Sequence, residues 1–187
     1  MSIRSVHTFH FALHPDQLMD DLDFKPFECS GASVLRHLGY STGSPQAWAA
    51  AFSWHQECTG SHKACRRSDP IYLPTRVIDV GKHVFSNPRL ILGSELEPGT
   101  KYATLSHCWG RSTQTRLLRS NLSSLRQKLP WKELSKTFKD VFKVTRYLGI
   151  RYLWIDSLCI IQDSPEDWAR ESSAMSKVYS NGYCNIA

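Results

Sequence analysis

The sequence predicts an α/β protein with a parallel sheet and flanking helices, preceded by a mostly irregular leader and a β-hairpin. Three observations support this class. From residue 101 onward, strand-like apolar runs alternate with helical patterns in the order strand, helix, strand, helix, strand. The connections are short, as in right-handed crossovers between parallel strands. The run Tyr152–Ile155 is continuously apolar, as expected of a central strand that is covered on both faces.

The composition is that of a folded chain. Of 187 residues, 41% are hydrophobic, with six Trp, seven Tyr and eight Phe. This is enough for a packed core in one domain, or one domain with an extension, and excludes wholesale disorder. No apolar run approaches the roughly 18–20 residues of a membrane span. Residues 1–20 lack the continuous apolar core of a signal peptide. We therefore expect an intracellular, cytoplasmic protein without a membrane span.

The net charge of +6 is concentrated in one block. Residues 101–151 contain 12 Lys or Arg and 2 Asp or Glu. Such a block can attract phosphates or nucleic acid. It is not accompanied by a zinc-finger pair, an RNP-like strand or a recognition-helix signature. We interpret it as a solvated helix face and expect no nucleic-acid partner.

Residues 1–70 are expected to form a leader with a short helix and a Cys/His segment. Gly and Pro interrupt the apolar pieces of residues 1–45, and no period is visible there. The apolar positions around Trp48 and Phe52 fit a short amphipathic helix.

The Cys/His segment has ligand types that zinc uses, namely Cys58, His62 and Cys65. Zinc takes four protein ligands, or three and a water. Cys29, His55 or His37 could complete the set, but none of them is placed by its spacing. We therefore expect no metal here, and interpret the segment as a helix and loop with buried thiols.

Residues 71–100 are expected to form a β-hairpin ahead of the main domain. Residues 76–80 are rich in β-branched side chains and predict one strand, and Arg89–Leu92 predicts its partner. Gly81 and Pro88 supply turn residues between them.

Residues 101–187 contain the predicted sheet and its helices. Residues 102–106 form the first strand. Asn121 is a candidate cap for a short helix that Pro130 ends. A longer helix follows, with one apolar face and a stop at Gly149. Its apolar positions are Leu134, Phe138, Val141, Phe142, Thr145 and Leu148.

The last predicted helix begins after Ser164, a good N-cap residue, with Pro165 at its first position. We expect its inner stripe to contain Trp168, Glu171 or Ser172, Met175, Val178 and Tyr179. The helix ends near residues 181–182, and residues 183–187 begin a further apolar run.

Ligands of parallel sheets bind beyond the carboxyl ends of the strands. Two predicted strands end at this edge. One is followed by the residues from Ser106 to Gly110, and the other is followed by Asp156. Trp109 offers a flat face for stacking a base or a nicotinamide, and Gly110 lets the backbone approach a ligand. The alternative for Asp156 is a carboxylate that caps the following turn. A Ser–His–Asp triad is disfavoured, because the adjacent Ser106 and His107 point apart.

Glu171 is the candidate catalytic residue, because it lies in the apolar stripe of its helix. Burial raises the pKa of a carboxyl, which is how general acids and bases are tuned. The alternative is a carboxylate paired with an Arg or capping loop amides. Cys108 and Cys159 lie in apolar segments and are expected to be buried free thiols. The chain has no P-loop, G-x-G-x-x-G or H-E-x-x-H motif.

The segment YATLSHCWG at 102–110 resembles the opening motif of the heterokaryon-incompatibility (HET) domain. The resemblance continues through LP at 129–130, TFKD at 137–140 and LGIRYLWIDSLCIIQD at 148–163. It closes with Asp167, Trp168, Glu171, Met175, Tyr179 and Asn181. Upstream, Trp54, Cys58, His62, Cys65 and LPTRVID at 73–79 resemble the segment that often precedes this domain in fungal proteins. His107 stands where the family more often has Tyr.

The resemblance implies a filamentous fungal protein of non-self recognition, in which the domain triggers programmed cell death. HET domains are similar to TIR domains, which have a flavodoxin-like parallel sheet. Many TIR domains cleave NAD at the nicotinamide–ribose bond with a helix Glu. Trp168 and Glu171 resemble the Trp and Glu of that helix, with a spacing one residue shorter. Because the family's domain normally continues beyond the last residue here, we expect a partial, C-terminally truncated domain.

By this resemblance Glu171 would hold the ribose hydroxyls and stabilise an oxocarbenium-like state, with Ser106, Trp109, Gly110 and Asp156 shaping the pocket. NAD would be a substrate, and no cofactor is expected. The alternatives are a non-catalytic module, which associates with itself or with other HET or immune-receptor-like proteins, and an inactive remnant.

Overall fold

The computed structural model describes residues 8–9, 43–62, 72–83, 85–109 and 115–187. The chain divides into two compact units, one formed by His10–Ser68 and the other by Met1–Phe9 with Asp69–Ala187. In the first unit the described element is helix α1, Pro45–Ser61, whose N-cap Ser44 accepts a hydrogen bond from the Ala47 amide at 3.2 Å. The predicted helix around Trp48 is thereby confirmed.

The second unit is built on a mixed sheet flanked by helices, which confirms the α/β class. The strands are β1 (Thr8–Phe9), β2 (Arg76–Asp79), β3 (Arg89–Leu92), β4 (Tyr102–Leu105), β5 (Tyr152–Ile155) and β6 (Cys184–Ile186). Their order is β1-β6-β4-β5-β2-β3. β4 pairs parallel with β5 and β6, as the alternation of elements predicts. β2 pairs antiparallel with β5, so the predicted hairpin β2–β3 extends the same sheet.

The connection from β4 to β5 contains α2 (Leu122–Gln127), a short 3₁₀ helix (Trp131–Glu133) and α3 (Lys136–Tyr147). α3 begins at the N-cap Ser135, whose hydroxyl accepts from the Phe138 amide at 3.2 Å. Its buried residues are Phe138, Val141, Phe142, Val144 and Thr145. Gly149 follows with a φ of 70°, which favours glycine. The predicted apolar face and stop of this helix are confirmed.

The connection from β5 to β6 contains α4 (Asp156–Cys159) and α5 (Pro165–Asn181). Ser164 caps α5 as predicted, accepting from the Asp167 amide at 3.3 Å. The prediction that Trp168 lies on the inner stripe is wrong, because its side chain is 53% exposed. Glu171 and Val178 are buried as predicted, and Asp167 is buried in place of Trp168. The helix is rotated so that its carboxylates meet a buried arginine of β2.

The hairpin β2–β3 is tightly packed within the sheet. Every residue of β2 is buried, because this strand lies between β3 and β5. Just after β3, a Cβ at Gly93 would stand 1.9 Å from the Pro74 carbonyl oxygen, so a side chain at this position would clash with backbone.

Of the described cysteines, Cys108 and Cys159 are free thiols. Cys159 is buried as predicted. The same prediction for Cys108 is wrong, because β4 ends at Leu105 and the chain then leaves the sheet, so that Cys108 is exposed. The predicted leader segment and Cys65 lie largely outside the described residues, and so the absence of zinc stays a prediction. In the described part of the chain, no helix combines the length and hydrophobicity that crossing a membrane requires.

Replacing Phe138 by Ala tests the packing of α3. Its side chain has no exposed surface, so we expect the free energy of unfolding to fall by about 3–5 kcal/mol. Urea denaturation measures this loss. Thr137→Ala, at an exposed position of the same helix, is the matched control and should change stability by less than about 0.5 kcal/mol. Equal effects of the two changes would contradict the packing described.

Candidate functional site

The carboxyl ends of β4 and β5 meet at one edge of the sheet, because the strands are parallel and Leu105 is in register with Ile155. Ser106 therefore leaves β4 where Asp156 leaves β5. The Ser106 side chain is exposed, and its amide donates to the Ile186 carbonyl at 2.8 Å.

Trp109 and Asp156, which the sequence proposes as pocket residues, are in direct contact. The indole Nε1 donates to Asp156 Oδ2 at 2.9 Å, while Oδ1 accepts from the Ser157 amide at 2.6 Å. Asp156 thus caps the turn, as the alternative for this residue predicts, and it also holds the indole. Its role as a pocket residue stays a prediction. Trp109 is 41% exposed, which leaves part of the ring open to solvent or ligand.

Tyr179 also reaches this edge, although the sequence does not single it out as a site residue. Its hydroxyl donates to the Leu105 carbonyl at 3.4 Å, and its ring meets Trp154 edge-on with centroids 5.4 Å apart. Burial, with a contribution from the Asp156 charge, raises the pKa of Tyr179 to about 12. The hydroxyl is therefore neutral and a donor at pH 7. We call Ser106, Trp109, Asp156 and Tyr179 the strand-end site.

Two polar groups near this edge are buried without a hydrogen-bond partner in the described part of the chain. They are the Trp154 Nε1 and the Ser157 Oγ. His107 lies at the same edge, with its ring edge-on to Phe138 at 5.2 Å. Gly110, the remaining predicted pocket residue, lies outside the described residues.

Glu171 belongs to a second group of charged residues, on the buried side of α5. Its side chain is 3% exposed, its Oε1 is 3.6 Å from Arg76 Nη2, and it accepts from Arg170 Nε at 3.2 Å. Pairing with arginine, the alternative proposed for this residue, is therefore present in the structure. Its catalytic role stays a prediction.

Asp167 is the closer partner of Arg76. The Arg76 Nη2 donates to Asp167 Oδ2 at 2.5 Å, and the same oxygen accepts from the Ile161 amide at 2.8 Å. Arg170 Nη2 bonds the other carboxylate oxygen. We call Arg76, Asp167, Arg170 and Glu171 the α5 ion-pair cluster.

The electrostatics of Asp167 follow from these contacts. Burial acts to raise the pKa of this carboxyl. The hydrogen bonds from Arg76 and the Ile161 amide outweigh burial, with help from the arginine charges, and the pKa lies below its ordinary value. Asp167 is ionised at neutral pH and stabilises the fold there.

The strand-end site and the α5 ion-pair cluster flank α4. Burial raises the pKa of the Cys159 thiol to about 12, and the charges of Asp156 and Glu171 both add to that rise. The Cys159 carbonyl accepts from Arg76 Nε at 2.7 Å. The thiol is therefore protonated at neutral pH and lies within the electrostatic reach of both Asp156 and Glu171.

Arg76 is the functional candidate that sequence reasoning misses. The sequence offers one signal for it, because Arg76 is the first residue of a strand that is rich in β-branched side chains. An arginine that is buried in such a strand needs a counter-ion. Among the described residues, no three His, Cys, Asp or Glu side chains lie together as metal ligands.

Comparison with known families identifies the segment that contains the strand-end site and most of the α5 ion-pair cluster. Residues 102–187 match the family model for the heterokaryon incompatibility protein (HET). This segment is therefore similar to a HET domain. The match extends from β4 to β6 and includes the strand-end site and three members of the α5 ion-pair cluster. Searches of curated proteins and of solved structures find no match for the chain.

A double-mutant cycle tests the Trp109–Asp156 contact. We expect Trp109→Phe and Asp156→Ala each to lower the free energy of unfolding. The double variant should lose about 1 kcal/mol less than the sum, because both changes remove the same hydrogen bond. Urea denaturation gives the four values. Glu97→Gln, at an exposed position away from the contact, should add to Trp109→Phe without coupling, and additivity in both pairs would show that the contact does not form.

Acid titration of stability tests Asp167. Because its folded pKa is lowered, its contribution is present above the unfolded value of about 3.9 and is lost as the pH falls through the folded pKa. We expect Asp167→Asn to destabilise the chain most near neutral pH, with the difference from wild type shrinking below about pH 4. Urea midpoints between pH 7 and 3 measure this, with Glu97→Gln as the control. A difference that is constant with pH would contradict an ionised, paired Asp167.

Proposed function

We propose that this HET domain acts in fungal non-self recognition leading to programmed cell death, and that it does so by TIR-like hydrolysis of NAD. The family match supports a heterokaryon-incompatibility type of function. The observation that carries the NAD proposal is the half-exposed indole of Trp109, fixed by Asp156 at the carboxyl ends of two parallel strands. This is the edge at which α/β sheets bind nucleotides.

The strand-end site offers the contacts that a dinucleotide needs. The open part of the Trp109 ring is available for stacking on the nicotinamide or the adenine. The exposed Ser106 hydroxyl can bond a ribose or a phosphate oxygen. Asp156 is engaged with Trp109 and the Ser157 amide, so its role in this proposal is to hold the indole.

Glu171 is the proposed catalytic residue. In the hydrolysis, the bond between the nicotinamide nitrogen and the ribose C1′ breaks, and water adds to C1′. The products are nicotinamide, ADP-ribose and a proton. A carboxylate near C1′ stabilises the positive charge that develops there. Because Arg170 covers Glu171 from the solvent side and is itself 58% exposed, substrate contact requires its guanidinium to leave Glu171.

A second candidate function is favoured by that same pairing. Glu171 is buried between two arginines, as a structural carboxylate would be, while Trp168 presents a half-exposed ring on the outer side of α5. In this candidate the domain signals by associating with itself or with other HET or immune-receptor-like proteins, and no chemistry is needed.

NAD turnover by the purified full chain tests the first candidate. We expect Glu171→Gln to lower kcat by about 10²–10³, since a group that stabilises transition-state charge is removed. Circular dichroism and urea midpoints establish that the variant is folded. Glu166→Gln is the matched control, because this exposed carboxylate on the same helix pairs with Arg119 and should leave kcat unchanged.

A folded wild-type chain without NAD turnover would overturn the hydrolase proposal. The association candidate is then tested by sedimentation, in which wild type should self-associate and Trp168→Ala should do so less. A monomer at all concentrations would count against self-association.

A further inference from the structure

Arg76 lies outside the segment that matches the HET family, but inside its sheet. The match begins at residue 102, whereas β2 is paired with β5, with Ile78 opposite Leu153 and Asp79 opposite Tyr152. A second arginine strengthens the pairing of β2 with β5, since Arg151 binds both Asp79 carboxylate oxygens, at 2.8 and 2.7 Å.

The polar contacts of the Arg76 side chain lead into the matched segment. Its Nε bonds the Cys159 carbonyl of α4, and its Nη2 lies 2.5 Å from Asp167 and 3.6 Å from Glu171 of α5. The Arg76 side chain is 6% exposed. A buried, forked guanidinium thus ties the hairpin to two elements of the HET domain.

The carboxylates of Asp167 and Glu171 require the charge of Arg76, because both are buried. Asp167 and Glu171 are 4% and 3% exposed. A buried carboxylate without a partner is strongly unfavourable. Their other cationic neighbour, Arg170, is 58% exposed, so solvent screens its attraction. Arg76 is therefore the counter-ion that acts without screening.

We propose that the hairpin of residues 72–92 is a working part of the HET domain, and that Arg76 is the positioning residue that holds the Asp167 and Glu171 carboxylates beneath α5. The part that concerns Glu171 in catalysis rests on the proposed function, whereas the part that concerns the fold stands apart from it.

Other ionisable groups also face the α5 ion-pair cluster. Tyr72 before β2 and Cys159 of α4 lie within the electrostatic reach of Glu171, and Asp156 of α4 lies within that of Cys159. Burial, and then the charge of Glu171, raises the pKa of Tyr72. Tyr72 and Cys159 are both neutral between pH 4 and 7, so neither changes the charge around the cluster in that range.

The test is the pH dependence of stability in Arg76→Met, which keeps an aliphatic side chain and removes the charge. At pH 7 we expect the unfolding equilibrium constant of the full chain to rise about 100-fold or more. Burial then favours protonated carboxyls in the folded variant, so its stability relative to wild type recovers as the pH falls from 7 to 4. Arg89→Met is the matched control, because its side chain is 50% exposed on the neighbouring strand and 4.0 Å from Asp79, and it should show a small loss.

A stability gap for Arg76→Met that stays the same at pH 7 and 4 would overturn the proposal, since lost packing alone does not depend on pH. If Arg76→Met does not fold, the triple variant R76M/D167N/E171Q decides. With no buried charge left, it should fold and should have a higher urea midpoint than Arg76→Met. A triple variant that is no more stable than Arg76→Met would equally overturn the proposal.

NAD turnover supplies the readout for positioning. Because Arg76 acts through Glu171, Arg76→Met should lower kcat by up to about 100-fold with little change in KM. Arg76→Lys, which keeps the charge without the fork, should recover part of kcat. A folded Arg76→Met with wild-type kcat would overturn the positioning role. Absence of turnover in wild type would instead remove the hydrolase proposal, and the pH dependence of stability would still decide the inference.

Discussion

The burial of one guanidinium beneath α5 determines much of the rest of this fold. A guanidinium keeps its charge in proteins, so a buried arginine requires fixed acceptors around it. Arg76 finds them in the Cys159 carbonyl and in Asp167 and Glu171. Those acceptors set the rotation of α5, which turns its carboxylates inward and Trp168 outward. The same contact holds β2 beside β5, so the hairpin shares one sheet with the segment that matches the HET family.

The strand-end site depends on a different constraint, the parallel pairing of β4 with β5. Parallel strands bring their carboxyl ends to one edge, and the register of Leu105 with Ile155 places the following residues side by side. Trp109 and Asp156 can therefore meet although 47 positions separate them. Tyr179 approaches the same edge from α5, because its hydroxyl bonds the last carbonyl of β4.

Local patterns in the sequence predict the elements well and their tertiary contacts less well. Capping residues and apolar periodicity give α3 and the start of α5, since a helix end or an apolar face depends on neighbours within a few positions. The rotation of α5 depends on Arg76, 91 positions before Asp167, and no local pattern contains that pairing. An apolar-looking stripe with Trp168 at its start therefore misplaces that residue, although it places Glu171 and Val178 correctly. Cys108 fails for a related reason, because the length of β4 decides where the chain leaves the sheet.

The two groups of charges are held together by the four residues of α4. Asp156 begins this helix and binds Trp109, while Cys159 ends it and bonds Arg76 through its carbonyl. The neutral thiol of Cys159 lies within the electrostatic reach of both Asp156 and Glu171. Asp156 and the Cys159 carbonyl are the two ends of one four-residue helix. The strand-end site and the α5 ion-pair cluster are therefore connected through a continuous piece of backbone.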